Sequence, residues 1–187
     1  MKEADHRQSI YLPPWRIDIT RRPTAPRLLP AADLARLMAS GLVAASAPSP
    51  ASIGLRLSDD EELADLNKRV FDKDGPTDVI SFPLLDSPAF PPHVGQSPPK
   101  VTAPMSDFRP PGSRTELGDI VVSVERAVEQ AEQGRGGQTS DVAWSAADEL
   151  RLLVVHGTLH ICGWDHAAPE EEAAMRALER KLLGVTP

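Results

Sequence analysis

The chain has 187 residues, of which 41% are hydrophobic and 25% charged, a balance that permits a sizeable buried core and excludes wholesale disorder. Its 20 Lys+Arg against 27 Asp+Glu leave a net charge of -7, a shortage of cations that excludes a protein coating nucleic acid non-specifically. At about 150 residues per domain, this length predicts one domain over 1–187 with room for a large insertion.

The first residues, Met1 to Arg7, are polar and lack the apolar segment of a signal peptide. The gentle stretch from Leu37 to Ala47 is far short of the roughly 20 apolar residues of a membrane span. A single cysteine, Cys162, allows no internal disulfide and fits a reducing compartment. A cytoplasmic protein with no membrane partner is expected.

Trp15–Thr20 alternates polar and apolar residues and reads as an edge strand. Ala31–Ala45 follows a helical period through Leu34, Leu37 and Val43, and Ser52–Leu57 reads as a second strand. Ser58-Asp59-Asp60-Glu61 has the form of a capping box, with the Ser58 hydroxyl serving the Glu61 amide. Leu63, Leu66 and Val70 then form one face of a helix. Asp78–Phe82 and Gly118–Ser123 read as two more strands. Between them, nine prolines fall from Pro83 to Pro111. They deny backbone donors to helix or central strand, so 84–115 is expected to be a long exposed loop, a tolerated insertion more than a functional cap.

Val124–Gln133 is helical, Gly134–Gln138 is a break, and Asp141 to about Cys162 is helical again. The last helix opens at Pro169 with Glu170, Glu171 and Glu172 complementing its macrodipole, and runs to Leu183 before Gly184. Four strands with intervening helices predict an α+β or α/β layer fold around one small sheet.

Three of the five histidines fall within eleven residues: His156, His160 and His166. Positions i and i+4 of a helix project from one face about 6 Å apart, within reach of one metal ion. Gly163 offers the left-handed conformation that ends a helix and returns His166 toward that face. A lone histidine in an apolar helix is ordinarily a hydrogen-bonded core residue. Here the preceding residues Leu150 and Leu152–Val155 are apolar nearly all round, so two imidazoles on one face of a buried helix need partners, and one ion satisfies all three. Three imidazoles leave a coordination position open, as in catalytic rather than structural zinc sites. The same offsets occur in the long zincin pattern H-E-x-x-H-x-x-G-x-x-H. Its catalytic glutamate, however, is here Gly157, so a peptidase of that type would lack its general base.

These residues resemble the YbeY family of bacterial metal-dependent endoribonucleases. His156-Gly157-Thr158-Leu159-His160-Ile161-Cys162-Gly163-Trp164-Asp165-His166 looks like the family's H-G-x-L-H-L-x-G-(aromatic)-D-H signature, and Met175 sits where the family tends to have methionine. Leu66-Asn67 with Lys73-Asp74-Gly75-Pro76-Thr77-Asp78-Val79-Ile80-Ser81-Phe82-Pro83 resembles its L-N…K-D-x-P-T-D-V-L-S-F-P block, and Leu117-Gly118-Asp119-Ile120 its L-G-D-I strand start. The resemblance covers about Ser52 to Leu183 without the proline-rich insertion. It implies an α+β domain with a small mixed four-stranded sheet packed by helices and a metal site on a helix and the turn after it. The metal, usually taken as zinc with another divalent transition metal as the alternative, is expected on His156, His160 and His166. The implied activity is single-strand-selective cleavage in 16S ribosomal RNA 3′-end maturation and ribosome quality control. Ribosomal RNA, the small ribosomal subunit and a ribosome-assembly GTPase are the implied partners.

Where many members carry an arginine implicated in activity, this chain has Phe71. Arg69, Lys73 or Arg151 would have to supply that cation, and Lys68, Arg69 and Lys73 are the candidate RNA-binding residues; an ordinary solvated helix face is the bland reading of Lys68 and Arg69. A three-histidine zinc would lower the pKa of its water to about 7 or bind a phosphate oxygen as a Lewis acid. His156 and Asp165 are the candidate catalytic residues, Asp165 as general base or as a carboxylate orienting an imidazole, against the plain reading of a solvated helix-end carboxylate. Asp78 and Asp119 read as turn caps, and Cys162 as a small core residue rather than a soft ligand. A zinc peptidase or other zinc hydrolase, and a non-catalytic ribosome-assembly factor, are the competing functions.

Overall fold

A computed structural model describes residues 4–96, 113–133 and 144–185. A β-hairpin opens the chain: β1 (His6–Leu12) pairs antiparallel with β2 (Trp15–Arg21). Helix α1 (Ala31–Ala44) leads to β3 (Ala51–Ser58) and helix α2 (Asp60–Phe71) to β4 (Val79–Pro83). After the proline-rich segment come β5 (Thr115–Ser123), α3 (Val124–Glu132), α4 (Ala146–Ile161) and α5 (Pro169–Leu183). The sheet order is β1-β2-β3-β5-β4. The pairs β2/β3 and β3/β5 are parallel, and both edge strands run antiparallel to their neighbours.

The sheet therefore has five strands rather than the expected four, and Trp15–Thr20 is not an edge. β1 was invisible to pattern reading because His6–Leu12 is mostly exposed on both faces, with only Ile10 and Leu12 half-buried. Its pairing with β2, not its own hydrophobicity, makes it a strand, and its polar residues suit an open edge. β2 shows the expected alternation, burying Trp15, Ile17 and Ile19.

The main core lies between this face of the sheet and helices α1 and α4, joining Ile17, Ile53, Leu55, Ile120 and Val122 to Leu34, Met38, Leu150 and Val154. The inward face of α1 carries Leu34, Leu37, Met38 and Leu42; Val43, expected there, is 65% exposed. α1 also approaches α4 closely, because a Cβ on Gly41 would stand 3.1 Å from Cγ2 of Thr158. On the opposite face, α2 covers Ile80 and Val121 with Leu63 and the half-buried Leu66. Val70 is exposed, and Asn67 takes the buried position, donating from Nδ2 to the Gly75 carbonyl at 2.9 Å. The α2 cap is Asp59, whose carboxylate accepts from the Glu62 amide. The expected box is thus shifted by one residue, and Ser58, still in the strand, bonds the Glu62 carboxylate instead.

α4 begins at a capping box made by Ser145 and Asp148, later than the expected Asp141, which with the Gly134–Gln138 break lies outside the described residues. α5 has its expected bounds, ending at Gly184 with φ +72°. Of 84–115, residues 97–112 lie outside the described residues. The part before them is not simply an exposed loop. After a single 3-10 turn at Ser87–Ala89, Phe90 is buried in the main core with Leu85 against it.

Candidate metal centre

α4 ends in a Schellman motif: the Gly163 amide donates to the His160 carbonyl at 3.0 Å and the Trp164 amide to the Leu159 carbonyl at 3.1 Å. Gly163 takes φ +81° to make this turn, a conformation that costs a residue with a Cβ about 1 kcal/mol or more. The reversed chain brings Trp164 and His166 back over the face that displays His156 and His160. One ligating atom from each of His156, His160 and His166 can be chosen so that all lie within 4.8 Å of one another. His156 and His160 are half-buried and His166 is exposed.

The hydrogen bonds fix which nitrogens face the centre. Nδ1 of His160 lies 2.8 Å from the Trp164 carbonyl, an acceptor only, so this nitrogen donates. Nδ1 of His156 lies 2.8 Å from Oε1 of Glu179 on α5, whose carboxylate likewise accepts. Burial first, then the neighbouring His156 and His166 rings, push His160 down to about 4, so its ring is neutral at pH 7 and its Nε2 carries a lone pair. That lone pair sits 3.0 Å from Nε2 of His156. With Nδ1 of each ring turned to an acceptor, the two Nε2 atoms face each other at a distance that a shared cation would bridge. Tetrahedral zinc with Zn–N near 2.05 Å separates its donors by about 3.3 Å. Three imidazole donors, two of them with Nε2 atoms 3.0 Å apart, thus suit one divalent ion.

Position 157 accounts for the absent zincin glutamate. Gly157 faces the sheet, where a Cβ would stand 2.6 Å from Cγ2 of Ile120 and 3.3 Å from both Ser81 Oγ and Val79 Cγ2. No larger side chain fits, and none placed there would face the imidazoles.

Asp165 is exposed, and its Oδ1 accepts from the His166 amide at 2.7 Å rather than from an imidazole. The carboxylate that does orient a ring is Glu179, 4% exposed, which pattern reading missed, as it missed the Trp164 carbonyl. A signal was present: Glu171, Met175 and Glu179 recur every four residues, and all three are buried on one face of α5.

The candidate RNA-binding cations lie elsewhere. α2 sits on the sheet face opposite α4. Lys68 Nζ pairs with Asp72 at 2.9 Å and Asp74 at 3.2 Å, and Arg69 Nη2 with Asp65 at 2.5 Å. Lys73 makes no ion pair among the described residues, and Phe71 is 49% exposed. Asp78 stands directly before β4, its carboxylate accepting from the Val79 amide at 2.9 Å and from Gln130 Nε2 at 3.0 Å. Asp119 is not a cap. Its carboxylate stands over Gly54, where a Cβ would come within 2.0 Å of Oδ1, and burial together with Glu116 and Asp18 raises its pKa. Cys162 is buried away from the cluster, its thiol pushed up to about 12 by burial. No helix of the described residues is long and apolar enough to cross a membrane.

Comparison with known proteins gives this geometry a family. The model described as Endoribonuclease YbeY matches residues 31–186. Endoribonuclease YbeY of Synechococcus sp. (strain CC9605) is 43% identical over 134 residues, covering 71% of this chain and 64% of that protein. The Symbiobacterium thermophilum protein of the same name is 37% identical over 142 residues, 76% of each chain. That of Mycolicibacterium vanbaalenii is 40% identical over 133 residues, 71% of this chain and 60% of its own. The chain therefore spans less than two thirds of the length of the first and third of these relatives. The solution structure of TM1509 from Thermotoga maritima aligns over 82% of this chain and 84% of its own at 20% identity, with a TM-score of 0.46. Because the family model takes in every helix of the fold and relatives at 37–43% identity align along most of it, this chain belongs to the YbeY family.

Proposed function

We propose that this protein is a metal-dependent endoribonuclease that cuts single-stranded RNA, with the whole chain acting as one domain around the five-stranded sheet. The observation that carries the reading is the convergence of His156, His160 and His166 within 4.8 Å, in a chain whose relatives are named Endoribonuclease YbeY. Zinc is the ion this donor set suits first, although nickel and cobalt also accept three imidazoles. An ion held there supplies Lewis acidity beside the scissile phosphate.

The chain's own residues do the rest. Glu179 and the Trp164 carbonyl hold protons on the Nδ1 atoms of His156 and His160, which leaves both Nε2 lone pairs free as donors. Asp165, exposed one residue before His166, is the carboxylate we assign to take the proton from the attacking hydroxyl and return it to the oxygen that leaves phosphorus. Lys68, Arg69 and Lys73 are assigned to the RNA backbone. The pairs that Lys68 and Arg69 make with Asp72, Asp74 and Asp65 are exposed, so exchanging them for phosphate costs little. The net charge of -7 favours delivery of the substrate by a partner over free RNA binding. The substrate we assign is the 3′ end of 16S ribosomal RNA on the small subunit in the cytoplasm, with an assembly GTPase as a candidate partner.

The test sets a single-stranded rRNA 3′-end fragment, its duplexed form and a denatured protein before the same preparation. Cleavage of the single strand alone, lost in His156→Ala while the fold is kept, supports the reading. Proteolysis without RNA cleavage would turn it to a zinc peptidase. A folded His156→Ala variant that still matures rRNA in cells would turn it to an assembly factor.

A further inference from the structure

The proline-rich segment was expected to be a tolerated insertion, yet its described part is packed on the turn that completes the histidine cluster. His93 lies with its ring stacked on Trp164, centroids 4.0 Å apart and planes at 14°. Its Nε2 sits 2.8 Å from Oε1 of Glu171, and both side chains are 6% exposed. Gly95 presses against α5 so closely that a Cβ, already strained at φ +80°, would stand 2.4 Å from the Glu171 amide nitrogen. At the other end, a Cβ on Gly163 would meet Cα of Ser87 at 3.2 Å. Phe90, buried in the main core, anchors the segment between these points. The His93 carbonyl accepts from the Gln96 amide at 3.2 Å, closing a local turn around the stacked ring.

We infer that Ser87–Gln96 is a strap that presets the metal centre, and that His93 is its positioning residue. The inference rests on reading the three histidines as ligands. The Trp164 carbonyl holds His160 by Nδ1, and His166 is two residues further on. A ring clamped on Trp164 therefore fixes the orientation of one donor and the path of the chain to another. His93 touches no ligand itself. The buried face of α5 serves both levels, with Glu171 tying the strap and Glu179 tying His156. Three imidazoles on an unclamped turn would have to be ordered when the ion arrives, which weakens binding. Outer partners of metal ligands typically account for 10- to 100-fold in affinity, and His93, one step further out, belongs near the lower end.

The experiment measures the zinc dissociation constant of the full chain by competition with a chromophoric chelator, beside circular dichroism and melting of the metal-free protein. The visible absorption of the cobalt-loaded protein reports its coordination geometry. His93→Ala removes the stack, and Gly95→Val lifts the strap from α5 without touching His93 or Trp164. Each is expected to weaken zinc binding about tenfold and to alter the cobalt spectrum while the metal-free protein stays folded. Glu171→Gln, which keeps a hydrogen-bond partner for His93, is expected to stay near wild type. Should His93→Ala not fold, Gly95→Val decides by the same readings. Wild-type affinity and spectrum in the folded variants would overturn the strap while leaving the ligand assignment standing. Failure of the unaltered chain to bind one zinc would overturn the ligand assignment first.

Discussion

Glu179→Gln probes the support behind the first ligand. The carboxylate is 4% exposed and meets Nδ1 of His156 at 2.8 Å, so it fixes the ring and makes the opposite nitrogen a stronger donor. Glutamine keeps the volume and can still accept through its carbonyl, but without charge the imidazole becomes less basic. A loss of about tenfold in zinc affinity follows, or about 1.4 kcal/mol. With free zinc at about 100 times the wild-type dissociation constant, binding stabilises the native state by about 2.7 kcal/mol. At roughly 2–4 °C per kcal/mol for a chain of this size, zinc should raise the wild-type melting temperature by about 5–11 °C. At the same zinc concentration the variant retains about half of that shift. Comparing melts with and without zinc within each protein removes any effect of the substitution on the metal-free fold. An unchanged zinc-induced shift, with an unchanged dissociation constant by competition titration, would refute the role given to Glu179.

Gly157→Ala gains about 1 kcal/mol of helix propensity, but its new methyl meets Ile120 Cγ2 at 2.6 Å, an overpacking that costs about 1–3 kcal/mol. Its melting temperature should fall, and a rise would contradict the close approach of α4 to the sheet. At Asp59, burial raises the carboxyl pKa, yet the Thr24 hydroxyl, the Glu62 amide and Arg22 more than offset this and hold it below the usual carboxylate range. Its folded pKa is thus below the unfolded value of about 4, so its contribution is present above that value and lost as pH falls through the folded one. Asp59→Asn should lose on the order of 1 kcal/mol at neutral pH, and melting curves of the two proteins should converge in acid. A gap that persists unchanged into acid would refute the charge-based role. Cys162, buried and with its thiol pushed up to about 12, should resist a thiol reagent at about pH 8 until the chain is unfolded. Labelling at the rate of a free thiol in the native protein would contradict its burial.

The histidine spacing was legible because helix geometry and a helix-ending glycine are local: four residues set the first pair, and Gly163 sets the return of His166. Glu179 was not, because it belongs to another helix and in sequence looks like any surface glutamate of an amphipathic helix. Only the packing of α5 on α4 turns it toward His156. β1 escaped for the same kind of reason, since an exposed edge strand is specified by its neighbour rather than by its own pattern. The shift of the α2 cap from Ser58 to Asp59 shows two good capping residues side by side, between which the extent of β3 decides. Period alone puts Val43 and Val70 on buried faces, yet both are exposed; Leu34, Met38 and Leu42 form the buried face of α1, and Leu63 and Asn67 that of α2. The strap at Ser87–Gln96 was hidden by composition, because proline excludes regular structure without excluding tight packing.

Removal and return of the metal tests the proposed chemistry most directly. The purified chain is assayed on a single-stranded rRNA fragment as isolated, after chelation and dialysis, and after reloading with zinc to one equivalent. Cleavage that disappears with the ion and returns at a single equivalent, but not in His156→Ala, is the expected result. Cleavage at an undiminished rate by metal-free protein would contradict the assignment of catalysis to the three histidines.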